Sequence, residues 1–147
     1  MKTGSRRISI LLTGIFILLF IYTDLDKLIQ FEASRNAFHN QTFPSELAEV
    51  LTIAVPVTEL LIAGLLVFSH TRWWGYLASI LLLTIFITYV GLIWVGAFPR
   101  VPCNCAGIID KMGWGAHFWM NLLLIGLAVF GLQQEQREKP KADASGF

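Results

Sequence analysis

The sequence predicts an all-α polytopic membrane protein, a bundle of four transmembrane helices, and three observations carry that expectation. Hydrophobic residues make up 55% of the 147 positions and charged residues only 14%, with a mean hydropathy of +0.63, whereas a soluble domain is about a quarter charged. Four apolar runs are each long enough for a hydrocarbon core of about 30 Å, which takes about 20 helical residues. Lys and Arg gather at the ends of these runs instead of forming one stripe. That scatter, with a net charge of +1, leaves no electrostatic footprint for nucleic acid.

The first span is expected over 8–29. Its purely apolar part, 8–22, would reach only about 22 Å at 1.5 Å per residue, so Asp24, Asp26 and Lys27 are drawn into its end. Lys2, Arg6 and Arg7 ahead of an apolar core resemble the start of a signal peptide, but no small-x-small cleavage site follows, and the segment reads as a retained helix. The second span is expected over 47–68, the third over 74–98 and the fourth over 114–132. Between the first two lie Phe31, Phe38 and Phe43 among polar residues. They predict a helical extension on the membrane surface and then a turn with Ser45 as helix cap. Arg72, Trp73 and Trp74 mark a tight turn at an interface, where indoles prefer to sit. Residues 1–132 thus form a single four-helix membrane domain, and 133–147 a polar cytoplasmic tail.

Positive charge sets the expected orientation. Lys2, Arg6, Arg7, Arg72, Arg137, Lys139 and Lys141 fall on one side, against Lys27, Arg35, Arg100 and Lys111 on the other. The richer side is expected to be cytoplasmic, which puts both termini inside and the loop between the third and fourth spans outside, in the periplasm.

That loop holds both cysteines, Cys103 and Cys105, between Pro102 and Gly107. Two thiols cannot by themselves surround zinc. Adjacent thiolates suit Cu(I), but Met112 is the only nearby thioether and no Met-rich or His-rich tract accompanies them, so no metal is expected. In an oxidising compartment disulfides persist. A bridge between residues i and i+2 closes a very small ring, and strained, exposed bridges are the labile or catalytic ones. Such a bridge also removes little unfolded-state entropy, which makes it a poor staple. The functional reading is a dithiol/disulfide that exchanges with an external thiol protein; the bland one is an inert loop clip or two free thiols.

Other polar residues sit where membrane helices seldom tolerate them. Glu59, near the middle of the second span, is a candidate proton relay or ligand contact, or else a buried hydrogen-bond partner of Thr84, Thr88 or Tyr89 on the third span. Asp24 and Lys27 are three apart and can pair on one helix face. His117 and Asn121 are four apart on the fourth span; His117 could accept a proton or lower a thiol pKa, or the two could only join helices. A haem held by two histidines is not expected, because His70 lies at the inner side and His39 and His117 towards the outer.

Taken in order, Lys27-Leu28, Pro56-x-x-Glu59, Tyr89, Pro102-Cys103-x-Cys105-x-Gly107 and Trp114-x-x-His117-x-x-x-Asn121 resemble a known group, the MauE (methylamine-utilisation protein E)/DoxX redox-associated membrane proteins. The likeness is nearest to Bacteroidota-type versions with a Cys-x-Cys loop, and it covers nearly the whole chain apart from the two tails. It implies a four-helix membrane bundle related in architecture to vitamin K epoxide reductase-like and DoxX-like proteins. It also implies a redox role for Cys103 and Cys105, with Lys27, Glu59 and His117 as family positions with auxiliary parts. Ala106 replaces the familiar Gly, and Asp26 stands where Ser is common.

The expectation is an inner-membrane thiol–disulfide redox protein, a thiol–disulfide oxidoreductase, supporting disulfide formation or maturation of a periplasmic or exported partner. Lipid surrounds it, and its partner is a thioredoxin-like or other exported protein. With no second cysteine pair, electrons would pass to a membrane quinone or another redox protein, although no motif marks a quinone pocket. The alternative is a non-catalytic membrane subunit or assembly chaperone, in which the cysteines only clip a loop.

Overall fold

The computed structural model describes residues 2–98 and 113–144. Among them are five helices: α1 (Lys2–Ile29), α2 (Phe31–His39), α3 (Ser45–Val67), α4 (Arg72–Trp94) and α5 (Trp114–Ala144), and no strand. Four are long and apolar enough to cross a membrane, over Gly4–Ile29, Ser45–Val67, Arg72–Trp94 and Trp114–Glu138. Only 17–39% of the residues in these stretches are buried within the protein. The remainder presents side chains such as Leu11, Leu18, Leu61, Ile85 and Leu123, each more than 60% exposed. So continuous an apolar exterior is suited to lipid and not to water.

Helices α1, α3, α4 and α5 pack together, α4 most extensively on α5, and α1 mainly on α3. Their shared core holds Phe16, Phe20, Ile62, Ala63, Leu66, Tyr76, Leu82, Leu83 and Ala128. Phe16 packs edge-on against Tyr76, with ring centroids 5.9 Å apart. Because lipid tails are as apolar as Leu, such helices are held by close packing and by hydrogen bonds between them more than by the hydrophobic effect. At Gly131 the ring of Tyr76 lies so close that a Cβ would stand 2.4 Å from it. A side chain there would push α4 from α5.

Local chemistry sets the helix ends. α4 stops at Trp94, short of the expected 98, because Gly96 adopts a left-handed φ of 73°. Gly96 N–H then donates to Ile93 O (3.0 Å) and Ala97 N–H to Leu92 O (2.9 Å), the paired bonds of a Schellman ending. Between α3 and α4 the turn is tied by Thr71, whose hydroxyl donates to Leu65 O at 2.8 Å. The helical extension read after the first span is a separate helix, α2, packed on α3 with Ser34 and Ala37 buried. Pro44, not Ser45, occupies the cap position of α3, with no side-chain cap bond; the fixed φ of proline starts the helix there. Beyond Leu132 the chain continues as helix to Ala144, because Gln134 and Glu135 are bonded to α1.

The bundle therefore has two ends. One carries the start of α1, the α3–α4 turn and the end of α5. The other carries α2 and the 41–43 turn, whose Gln41 Oε1 accepts a bond from Tyr89 Oη at 2.8 Å. There Trp94 of α4 packs on Phe118 of α5, with centroids 5.5 Å apart. Cys103, Cys105, Pro102, Ala106, Gly107 and Met112 lie outside the described residues.

Candidate functional site

Glu59 sits on the face of α3 that meets α1, three residues after Pro56, and is 3% exposed. Pro56 has no N–H, so the carbonyl of Thr52 lacks its usual helical donor just before this position. The Glu59 carboxylate meets the ammonium of Lys27, with Oε2 and Nζ 2.6 Å apart. Thr23 Oγ1, whose proton is already directed to Phe20 O at 3.0 Å, lies 3.3 Å from the same oxygen. Lys27 is 22% exposed in its side chain, with its charged head turned to the acid.

The pairing differs from both sequence readings. Lys27 bonds across to Glu59 instead of back to Asp24, and Glu59 bonds to α1 instead of to α4. Thr84 and Thr88 donate to carbonyls of their own helix, and Tyr89 serves the 41–43 turn. Asp24, read as the partner of Lys27 on one helix face, is 1% exposed. Neither of its buried carboxylate oxygens has a hydrogen-bond partner among the described residues. Its charged neighbours are Glu59 and Lys27. Glu59 and Asp24 are acceptors side by side.

His117 and Asn121 do share a face of α5, with Asn121 Nδ2 donating to His117 O at 3.0 Å. Asn121 is 2% exposed, and His117 Nδ1 is buried without a partner among the described residues. No hydrogen bond among the described residues joins His117 to Lys27, Glu59 or Asp24. On the surface nearby, Glu49 of α3 receives Arg35 of α2 through both Nε (2.9 Å) and the adjacent guanidinium nitrogen, and His39 Nε2 lies 3.0 Å from the same oxygen. Glu49 raises the Arg35 guanidinium above its ordinary pKa, chiefly through this bond. The contact fixes α2 against α3.

A second polar layer, missed from the sequence, lies at the opposite end. Arg72 Nη1 reaches Glu135 Oε1 at 3.3 Å while its Nε donates to Leu66 O at 3.2 Å. Ser9 Oγ donates to the same Glu135 oxygen at 3.2 Å. Thr13 Oγ1 donates to Ser9 O at 2.8 Å, so Tyr76 Oη, 3.0 Å away, is left to donate to Thr13. The signal available was the Ser9/Thr13 pair, four apart within an otherwise apolar run, which marks a helix face turned to protein instead of lipid.

A family model described as Methylamine utilisation protein MauE matches residues 5–134. The chain belongs to the MauE family. Neither a comparison with curated proteins nor one with solved structures gave a match. The matched region takes in α3 and α4 whole and most of α1 and α5, together with Asp24, Lys27, Glu59 and the segment with Cys103 and Cys105, and it ends one residue before Glu135. With four helices able to span a bilayer, this member of the MauE family is a multi-pass membrane protein.

Proposed function

We propose that this MauE-family protein is a thiol–disulfide redox protein of the bacterial cytoplasmic membrane, in which Cys103 and Cys105 exchange with an exported partner and so support its disulfide formation or maturation. The observation that carries the reading is the family match over residues 5–134, which includes the Cys-x-Cys segment. A thioredoxin-like protein is the preferred partner class. The charge bias supports an orientation with both termini cytoplasmic. In that orientation α2, Lys27 and the helix ends flanking residues 99–112 face the periplasm, where disulfides persist.

The exchange proceeds in two steps. A partner thiolate attacks one sulfur of the Cys103–Cys105 disulfide and forms a mixed disulfide, releasing the other cysteine as thiolate. A second partner thiolate then displaces the remaining cysteine. The partner leaves oxidised, and the pair is left reduced by two electrons. A membrane quinone or a further redox protein takes those electrons in the next turnover, and run backwards the same steps reduce the partner. Lys27, Glu59 and His117 act in support, His117 as an acceptor for a thiol proton.

The reading is tested by expressing Cys105→Ser and Cys103→Ser variants and isolating the mixed disulfide each traps. One variant is expected to hold an exported, cysteine-bearing protein in a dithiothreitol-sensitive adduct, and the double variant is expected to hold none. If partner maturation continues unchanged in a double variant that inserts normally, the exchange reading fails and a non-catalytic docking role replaces it.

A further inference from the structure

The cluster of Asp24, Lys27 and Glu59 contains two acids and one base inside a membrane-spanning bundle. With both acids ionised it would carry a surplus negative charge away from water, which is costly wherever it is not paired. The donors present do not relieve it. Lys27 Nζ donates to Glu59 Oε2, the Thr23 proton is directed to Phe20 O, and nothing among the described residues donates to either Asp24 oxygen. Two carboxylates side by side cannot hydrogen-bond to each other, since each only accepts. A single proton converts one into a donor and satisfies the pair.

We propose that Asp24 and Glu59 form a proton-binding site within the bundle, holding one proton between them beside the Lys27 ammonium, and that the site exchanges only with the water at the α2 end. A proton fits better than a metal cation, because the ammonium 2.6 Å from Glu59 Oε2 already holds the cation's place.

The one-sided access follows from what flanks the cluster. Towards the termini, α1 next presents Phe20 and Phe16, 3% and 0% exposed. They pack with Ile62, Ala63 and Leu66 of α3 and Leu82 and Leu83 of α4 in a hydrophobic layer. On α4 the buried Ser79 hydroxyl is turned to its own helix, donating to Gly75 O at 2.8 Å, and further on come the Thr13 and Tyr76 hydroxyls. In the other direction Lys27 is partly open. No further charge competes from the packed helices. On α2 the buried residues are Ser34 and Ala37, while Arg35 and His39 are committed to Glu49. On the inward face of α5, Glu135 is committed to Arg72 at the opposite end, leaving His117 as the remaining titratable group, with no hydrogen bond to the cluster among the described residues.

The site goes beyond the redox reading and does not need it. Infrared spectroscopy of the full-length protein in lipid vesicles tests it, through the carbonyl stretch of a protonated carboxylic acid, which shifts on deuterium exchange. The wild type near neutral pH is expected to show this band. It should vanish in both Asp24→Asn and Glu59→Gln, since either leaves one acid for one ammonium. The Cys103→Ser/Cys105→Ser double variant should retain it, which separates failure of the site from failure of the redox reading. Absence of the band in the wild type overturns the proposal, and so does its survival in both single variants; should neither variant fold, the wild-type band decides. In vesicles with a single protein orientation, the band is expected to follow the pH of the bath at the α2 end. A response to the opposite bath instead would overturn the one-sided access.

Discussion

The two polar layers of this bundle use the same ingredients to different ends. At the termini end, one acid, Glu135, receives one guanidinium and one hydroxyl, from Arg72 and Ser9, and no second buried acid stands beside it among the described residues. At the α2 end, Glu59 receives one ammonium from Lys27, and a second acid, Asp24, is buried beside it with no donor among the described residues. Charges balance in the first layer and do not in the second. A balanced buried pair joins helices; an unbalanced one must take up something from outside, and that is where chemistry becomes available.

Removing the two cations should expose this difference most strongly. Arg72→Met leaves Glu135, 7% exposed in its side chain, as an unpaired buried charge, and a loss of about 3–5 kcal/mol is expected. Lys27→Met removes the partner of Glu59, but two neighbouring acids can each take a proton. The expected loss there is no more than about 1.7 kcal/mol, the upper end for polar contacts between membrane helices. Thermal unfolding of both variants in the same detergent measures the gap. Equal losses would mean that the α2-end cluster is as rigidly ionised as the clasp opposite, and the contrast between them would collapse.

How far the sequence foretold this contrast depends on the kind of signal. Four spans were legible because a membrane demands long apolar runs, and hydropathy reads length directly. The early stop of α4 at Gly96 and the continuation of α5 past Leu132 were not, since both are decided by backbone geometry or by a partner distant in sequence. Glu59 and Lys27 stood out as costly residues in apolar surroundings, but which helix each would face was hidden. A pairing between residues 32 apart depends on how α1 and α3 rotate against each other. Asp24 was misread for the same reason: spacing along α1 allows a bond to Lys27, and only packing with α3 draws the lysine away. Ser9 and Thr13 were passed over because hydroxyls barely lower the hydropathy of a span, although inside a bundle they join helices.

A packing change at the termini end should act on only one of the two layers. Gly131→Ala sets a methyl 2.4 Å from the Tyr76 ring. The ring is fully buried and cannot swing aside. Overpacking of this kind typically costs about 1–3 kcal/mol. Because Tyr76 also holds Thr13, the damage should spread into the Ser9/Glu135 layer and leave the α2 end intact. Crosslinking between cysteines placed at Ser5 and Gln134, which are hydrogen-bonded at 2.8 Å, should fall in the variant, while the infrared band of the Asp24/Glu59 pair should not change. A loss at both ends would show that the Phe16/Phe20 layer transmits strain along the bundle.

The smallest effects should separate the layers as well. Thr13→Val removes a hydroxyl that both donates to Ser9 O and accepts from Tyr76 Oη. Its loss strands a buried phenol, and about 0.6 kcal/mol is the expected cost, typical for a hydrogen bond between membrane helices. Thr23→Val removes a hydroxyl whose single proton is already engaged by Phe20 O. Its approach to Glu59 at 3.3 Å is therefore weak, and Lys27 still holds the acid, so stability should hardly change. The two substitutions delete the same atom from the same helix. Unfolding both with a denaturing detergent, alongside Tyr76→Phe, tells whether the first loss comes from the phenol: Thr13→Val and Tyr76→Phe should then be non-additive, whereas independent losses would remove the termini-end layer from the list of interhelical clasps.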